Sequence, residues 1–314
     1  MTRLPNKEFQ KMVPFLREEE FYEPEEHRKI SWPEYSQNEI EEAKEVLIFI
    51  QEAVESATTL TLKGKVGRHL TDPKSLAKAV LVTEALHFTE RNAQGWLSIL
   101  SPFLGIKECL DDRTIGDAYE KREVLYILKQ IFEKYKESDK ILSGDGTGLE
   151  GTRKENYETN KKTVEYMTSI VDSREIVQAF DVSGMQECKA MHILIKNVYG
   201  NSLRLDAGFN DRELVRKIQE LGMTPYVFPK KSNLLNGNPA WKEMYLELFF
   251  DVMQWLTNYH QRSHAESFHG SFKQRNGPVT KRRATSILTQ VTARIILHNR
   301  RRIGYFKRIN ITPS

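Results

Sequence analysis

Apolar residues between positions 73 and 136 recur at the three- and four-residue spacing of helices. The first predicted helix begins at Asp72 and Pro73, a capping residue followed by proline at the first helical position. A second helix contains Trp96, and a third begins near Tyr119. Three short helices with tight connections fit a helix-turn-helix reader of DNA and a plain helical bundle equally well.

After Tyr135 the pattern changes to short apolar runs typical of strands, separated by two helical segments. The predicted strands are residues 141–146, 165–171, 175–182, 202–206 and 226–228. The predicted helices are residues 187–198 and a segment from Asn210, which forms a capping box with Glu213, to Gly222. This alternation predicts an α/β fold, a mixed sheet flanked by helices, preceded by an all-helical N-terminal region.

A long amphipathic helix is predicted from Pro239, and its apolar stripe continues into polar residues. On a regular helix, Tyr259, Arg262, Glu266 and Lys273 point within about 60° of one another. A carboxylate on a face that packs against the sheet is costly unless it meets a cation. By itself, the spacing fits an internal ion network of Arg, Glu and Lys.

Two aspartates lie within or at the ends of predicted strands. Asp145 lies in the sequence Gly-Asp-Gly-Thr-Gly at residues 144–148, and Asp206 ends the strand at residues 202–206. Because neighbouring strands bring such side chains together, we expect Asp145, Asp206 and Glu266 to be close. Three close carboxylates cannot all stay ionised without a counter-charge. Hard oxygen ligands favour Mg²⁺ or Mn²⁺, and two such ions can clamp the oxygens of a phosphoryl transfer.

The spacing Tyr-x₂-Arg-x₃-Glu-x₆-Lys at residues 259–273 resembles the Tyr-Arg-Glu-Lys signature of insertion-sequence transposases with an Asp-Asp-Glu triad. Asp-Gly-Thr-Gly from Asp145 and Leu-Asp-Ala-Gly-Phe around Asp206 resemble the two aspartate motifs of that family. The three motifs follow the family's order over about residues 140–275. Some relatives insert a β-rich domain before the glutamate helix, and residues 230–239 leave no room for one.

The resemblance implies a ribonuclease-H-like catalytic core that cuts transposon ends and joins them to target DNA. Water and then the freed 3′-hydroxyl would be the nucleophiles, with two Mg²⁺ or Mn²⁺ ions per active site. The implied catalytic and metal-binding residues are Asp145, Asp206 and Glu266. The implied DNA-backbone contacts are Tyr259, Arg262 and Lys273. The expected partners are double-stranded DNA, as inverted-repeat ends and target, and a second copy of the chain in a homodimer on DNA.

Charge is distributed unevenly along the 314 residues, although the formal net charge is only +4. Residues 260–314 carry twelve Lys and Arg and one acid, whereas residues 15–45 carry eleven acids and four bases. Such a basic segment fits a DNA-binding surface, and on charge alone it fits a solvated surface as well. One hypothesis is that residues 15–45 cover the basic segment until DNA displaces them. Further DNA-binding candidates are Lys230, Lys231, Arg275, Lys281, Arg282, Arg283, Arg300, Arg301 and Arg302.

The sequence divides into four predicted regions, the first of them acidic and interrupted by prolines. They are an acidic, extended or loosely helical N-terminal arm (1–60), a helical DNA-end-binding domain (61–138), the ribonuclease-H-like catalytic core (139–278) and a basic C-terminal helix and tail (279–314). No apolar run is long enough to span a membrane, and the first 20 residues lack a signal core. We therefore expect no membrane partner and a cytoplasmic location, and the resemblance to insertion-sequence transposases implies that this location is nucleoid-associated in a prokaryote.

Some alternatives remain open at the level of sequence. Cys109 and Cys188 are too few for a disulfide framework or a zinc cluster. His260 and His264 have the spacing of two helical metal ligands, although polar or phosphate-facing roles fit better. A decayed transposase that only binds DNA, and a ribonuclease-H-like nuclease that joins no strands, are the alternative functions.

Overall fold

The chain passes from helices to a sheet and back to helices. The structure, a computed structural model, describes residues 6–16, 30–60, 71–156 and 158–310. The N-terminal helices are α1 (Asn6–Phe15), α2 (Trp32–Ser56), α3 (Pro73–Ala85), α4 (Glu90–Leu104), α5 (Asp112–Ala118) and α6 (Arg122–Tyr135). The strands are β1 (Ile141–Asn156), β2 (Lys161–Asp172), β3 (Val177–Asp181), β4 (Ser202–Leu205) and β5 (Thr224–Val227). The remaining helices are α7 (Glu187–Leu194), α8 (Arg212–Glu220), α9 (Pro239–Phe250), α10 (Val252–His260), α11 (Ser263–Asn276) and α12 (Ala284–Arg308).

The five strands form one mixed sheet in the order β3-β2-β1-β4-β5. β1 and β3 are both antiparallel to β2, whereas β4 is parallel to β1 and to β5. The predicted α/β class, with a mixed sheet flanked by helices and helices at the N-terminus, is confirmed. β1 is longer than predicted, because β2 pairs with it as far as Asn156.

Capping residues in the sequence predicted the starts of two helices, α3 and α8, with different outcomes. The side chain of Asp72 accepts a hydrogen bond from the backbone N–H of Ser75, so the predicted start of α3 is confirmed. The predicted capping box at Asn210 is wrong. Asp211 caps α8 instead, accepting from the backbone N–H groups of Glu213 and Leu214. Asn210 instead donates to the carbonyl of Phe228.

Each face of the sheet is covered by its own apolar core. On one face, Leu142, Ile170 and Leu203 pack with residues of α1 and α7–α10. On the other face, Met167 and Val171 join a core made by α2–α6, α11 and α12. Because successive strand residues point to opposite faces, the odd-numbered side chains of β1 face α11.

The long helix predicted from Pro239 is wrong as a single element. It is divided into α9, α10 and α11, with breaks at Asp251 and around Gln261. Asp251 caps α10 by accepting from the backbone N–H of Gln254. At the second break, two neighbouring strand residues hold the chain: Ser143 donates to the carbonyl of Gln261 (3.1 Å) and Arg204 to that of Asn258 (2.5 Å). Tyr259 and Glu266 therefore lie on different helices.

Acidic residues of α2 are paired with basic residues near the other end of the chain. The N-terminal arm was expected to be extended or loosely helical, but α2 is a regular 25-residue helix that begins at Trp32. The pairs with α12 are Glu42–Arg301 (2.8 Å), Glu45–Arg300 (3.3 Å), Glu45–Arg308 (2.7 Å) and Glu41–Arg308. Acids of α2 thus neutralise part of the basic segment within the chain, whereas residues 17–29 lie outside the described residues.

Over the described ranges, no helix combines the length and apolar character that crossing a membrane requires.

Candidate active site

Asp145 and Asp206 lie side by side at the point where two parallel strands stop pairing. The last register partners of β1 and β4 are Gly144 and Leu205, and the two aspartates are the next residues on each strand. Neighbouring strands run about 4.8 Å apart, so the two carboxylates share one edge of the sheet. The structure thus brings together the two aspartates that the sequence singled out.

The Asp206 carboxylate is held by the turn that follows β4. Its Oδ1 atom accepts the backbone N–H of Gly208 at 2.7 Å, at the start of a short 3₁₀ turn. A Cβ atom on residue 208 would lie 2.8 Å from the same oxygen, so glycine permits this contact. The turn fixes the direction of one carboxylate oxygen.

A buried histidine lies beside the Asp145 carboxylate. Nδ1 of His269 lies 3.7 Å from Oδ2 of Asp145, and its Nε2 lies 2.9 Å from Oγ of Ser169. Ser169 is the register partner of Asp145 on β2. An Nδ1 proton directed at the carboxylate leaves Nε2 to accept from the serine hydroxyl. His269 is thus buried between Ser169 and Asp145.

Glu187, the first residue of α7, is a fourth carboxylate that the sequence analysis missed. Burial raises the pKa of Glu187, and the negative charges of Asp145 and Asp206 raise it further. A Cβ atom on Gly146 would collide with the Glu187 carboxylate, so the glycine next to Asp145 makes room for it. The sequence feature that could have indicated Glu187 is an acidic residue at the first position of the helix that follows β3. The glycines of β1 leave space for such a side chain beside the strand.

Arg262 and Glu266 lie across from the aspartates, where α11 begins. They form an ion pair of 2.6 Å, one helical turn apart. Burial would lower the pKa of the Arg262 guanidinium, but the charges of Tyr259, Glu266 and Asp145 together raise it. Arg262 is therefore paired with Glu266 and lies within electrostatic range of Asp145, where its positive charge favours the ionised carboxylates.

Tyr259 lies at the end of α10 with its ring in the core. The ring stacks on Trp255 and packs against Phe228, with centroid distances of 5.4 Å and 5.1 Å. Burial raises the pKa of Tyr259 to about 12, with Arg262 opposing the shift and Asp206 adding to it. Its hydroxyl thus lies within the electrostatic reach of the two charged residues.

The three carboxylates are not drawn into one tight ligand cluster. A cluster of metal ligands would need at least three Cys, His, Asp or Glu side chains whose ligand atoms all lie within 4.8 Å of one another. Among the described residues, the one such cluster is formed by Cys188, His192 and Asp211, not by the predicted triad. Glu266 is turned toward Arg262 rather than toward the aspartates. The three residues of the predicted triad lie in the same region of the structure, but the Glu266 carboxylate is bound to Arg262 and not to the aspartates.

Three predicted DNA-contacting lysines lie around this edge of the sheet. Lys273 donates to the hydroxyl of Thr147 at 2.8 Å, which ties α11 to the strand that carries Asp145. Lys230 and Lys231 are exposed and follow the end of β5. All three positions remain compatible with contact to a phosphate backbone.

Several other predicted DNA-binding bases are already neutralised by carboxylates of the same chain. In α12, Arg302 pairs with Glu175. Arg300 and Arg301 of the same helix form the pairs with α2 described above. The remaining ones are Arg275, bound by Glu39 (3.1 Å) and Glu42 (2.5 Å), Lys281, bound by Glu90, and Arg283, bound by Glu120. Lys281 also lies 3.5 Å from the centre of the Tyr119 ring. Arg282 is exposed. Contact with DNA by the paired groups requires that phosphate displace a carboxylate.

The alternative zinc pair does not have its expected geometry. His260 ends α10 and His264 belongs to α11, so the turn at Gln261 removes their regular helical spacing.

Comparison with known proteins adds no relative: the chain matches no family model, no curated protein and no solved structure. The interpretation of the site therefore depends on its residues and their geometry.

Proposed function

We propose that the chain is a metal-dependent DNA transposase that cuts transposon ends and joins them to target DNA. The observation that carries the proposal is the position of Asp145 on β1 and of Asp206 at the end of the adjacent strand β4, with the ion pair of Arg262 and Glu266 nearby at the start of α11. The sheet order β3-β2-β1-β4-β5, with β2 antiparallel and β4 parallel to β1, supports a ribonuclease-H-like core.

The donor atoms at this edge of the sheet suit a hard cation. Asp145, Asp206 and Glu266 would hold Mg²⁺ or Mn²⁺, two ions per site, because carboxylate oxygens are the ligands these ions prefer. When bound, such ions lower the pKa of a nucleophilic water and stabilise charge on the phosphate oxygens. His269 and Gly208 hold the two aspartates in place through the contacts described above.

Arg262 links DNA binding to assembly of the carboxylates. Its planar guanidinium matches the oxygens of a phosphate, and it is now held by Glu266 at 2.6 Å. A DNA phosphate near the aspartates would draw Arg262 away and release Glu266 to turn toward Asp145 and Asp206. Lys273 would add a point charge to the same backbone.

The proposal extends to partners and location. The partner is double-stranded DNA, both as transposon ends and as target, and two ends require a homodimer in the complex. A protein with this activity would act at the nucleoid in the cytoplasm of a prokaryote. The helices at residues 73–136 are the proposed end-binding region.

The test uses the DNA that flanks this gene as substrate. Purified protein with Mg²⁺ or Mn²⁺ should produce breaks at the borders of inverted repeats and then joined products. Asp206→Asn should abolish both reactions, because it removes a charge while an amide oxygen can still accept from Gly208. Glu220→Gln, on the surface of α8, removes a carboxylate away from the site and should leave both reactions unchanged.

Each alternative function predicts a different result. A protein that only binds DNA should bind equally well in EDTA and give no breaks with either metal. A nuclease should cut but give no joined products. Breaks that persist in Asp145→Asn, Asp206→Asn and Glu266→Gln would refute the assignment of the site.

A further inference from the structure

A second group of potential metal ligands lies beside α7, apart from the carboxylates described above. Cys188 and His192 lie one turn apart on α7, and Asp211 caps α8. Oδ2 of Asp211 lies 3.8 Å from Sγ of Cys188 and 3.2 Å from Nε2 of His192. All three ligand atoms lie within 4.8 Å of one another, and each residue is half-buried.

These separations are close to those of a tetrahedral zinc site. Zinc bonds of about 2.0–2.2 Å to nitrogen and oxygen and about 2.3 Å to sulfur place neighbouring ligands roughly 3.4–3.6 Å apart. The two separations to Oδ2 of Asp211 bracket this range. Shifts of a few tenths of an ångström at Asp211, with a larger closing of Cys188 on His192, would complete three corners of a tetrahedron.

The chemistry of the donors selects the kind of metal. A thiolate and an imidazole favour Zn²⁺, whereas Mg²⁺ and Mn²⁺ prefer oxygen ligands alone. One thiolate and one carboxylate together balance the double charge of Zn²⁺. Binding would release the thiol proton to water and move the imidazole proton from Nε2 to Nδ1.

The Asp211 carboxylate is already oriented by contacts outside the group. Its Oδ1 atom accepts the backbone N–H of Glu213 at 2.7 Å and that of Leu214 at 3.3 Å. The helix cap therefore fixes one oxygen and directs the other at Cys188 and His192. Outer contacts of this kind typically orient the ligands of metal sites.

Lys217 opposes metal binding from the far side of His192. Its Nζ atom lies 3.4 Å from Nδ1 of His192 and 3.8 Å from Oε1 of Glu213. When a metal binds Nε2 of the neutral imidazole, the proton must lie on Nδ1. The Nδ1–H group then becomes a hydrogen-bond donor, and the Lys217 ammonium group has no lone pair to accept that hydrogen bond. Lys217 must then move toward Glu213, so its removal should favour the metal.

We propose that Cys188, His192 and Asp211 form a Zn²⁺ site that links α7 to α8 and leaves a fourth position for water or another ligand. The site would use one cysteine, Cys188, together with a histidine and an aspartate, whereas the two cysteines of the chain are too few for a cysteine-based zinc cluster. Because its residues differ from those of the proposed catalytic centre, the two proposals stand or fall separately.

The test measures metal binding by the full-length chain after it has been stripped with a chelator. Zn²⁺ titrated against a chromophoric chelator should bind with a stoichiometry of one per chain. Co²⁺ should give the visible bands of a tetrahedral site and a thiolate charge-transfer band in the near ultraviolet. Mg²⁺ in large excess should displace neither ion.

The other cysteine offers a matched control. Cys188→Ser should lose the charge-transfer band, and both Cys188→Ser and His192→Gln should bind Zn²⁺ at least about tenfold more weakly. Cys109→Ser, which changes the exposed cysteine, should behave like the parent chain. Lys217→Met should bind Zn²⁺ more tightly. No stoichiometric binding, or equal affinity in the Cys188→Ser and Cys109→Ser chains, would overturn the proposal, and circular dichroism establishes that each variant is folded.

Discussion

Glu84 is a buried carboxylate that joins α3 to α12, and its removal should destabilise the helical side of the molecule. Its Oε2 atom accepts Nε of Arg294 at 2.7 Å, and both side chains are 6% exposed. Its Oε1 atom accepts the hydroxyl of Tyr119 at 2.7 Å and the amide of Gln290 at 2.9 Å. Three polar side chains, two from α12 and one that follows α5, thus depend on one group.

The expected loss follows from what remains after the substitution. At 2.7 Å the attraction between the two charges is about 6 kcal/mol for an effective dielectric constant of about 20. Desolvation of both ions offsets most of that gain, so the intact pair adds little net stability. Glu84→Gln, however, leaves the buried Arg294 charge unpaired and should lower the free energy of unfolding by about 3–5 kcal/mol.

A double-mutant cycle measured by urea denaturation isolates this interaction. Arg294→Met combined with Glu84→Gln removes both charges, and the double variant should lose less stability than the sum of the two single variants. The coupling should exceed about 1 kcal/mol. A loss below about 1 kcal/mol for Glu84→Gln, or additive effects in the cycle, would show that the pair is not the buried unit described above.

Two further predictions concern pH and DNA affinity. Burial lowers the pKa of His298 to about 3, so it stays neutral in the folded chain while the unfolded chain gains a proton below about pH 6.5. Stability should therefore fall as the pH drops from about 6.5, and His298→Gln should flatten that dependence in urea melts; an unchanged slope would contradict it. Glu42→Gln should free Arg301 and leave Arg275 held by Glu39 alone, raising DNA affinity and steepening its salt dependence by up to about 0.9 log unit for each added phosphate contact. In anisotropy titrations Glu52→Gln is the control, and equal slopes for both variants would refute the release.

The sheet and the order of the triad could be predicted from the sequence because they depend on local patterns. Strand periodicity placed Asp145 within or at the end of the first strand and Asp206 at the end of the fourth, and the alternation of strands and helices predicted a mixed sheet that could bring them together. The break between α10 and α11 could not be predicted. It is held by Ser143 and Arg204, which lie 118 and 54 positions from the carbonyl groups they bind.

The charge pattern predicted a basic surface that the fold largely neutralises. Composition alone cannot show that Arg275 meets Glu42 across 233 positions or that Arg308 meets Glu41 across 267. Glu187 was missed for a related reason. Its proximity to Asp145 depends on the space left by Gly146 on β1, which only the packed structure shows.

The packing of α12 on α2, α3 and α6 sets the order in which the chain can fold during synthesis. Val291 and Ile295 of α12 complete the core to which Leu76 and Ile127 belong. About 150 residues separate the end of α6 from the start of α12, which takes roughly 7–30 s to translate at typical rates. During that interval the apolar faces of the first helices lack their final cover. Nascent chains that stop before Ala284 should therefore depend on chaperones and be prone to aggregation.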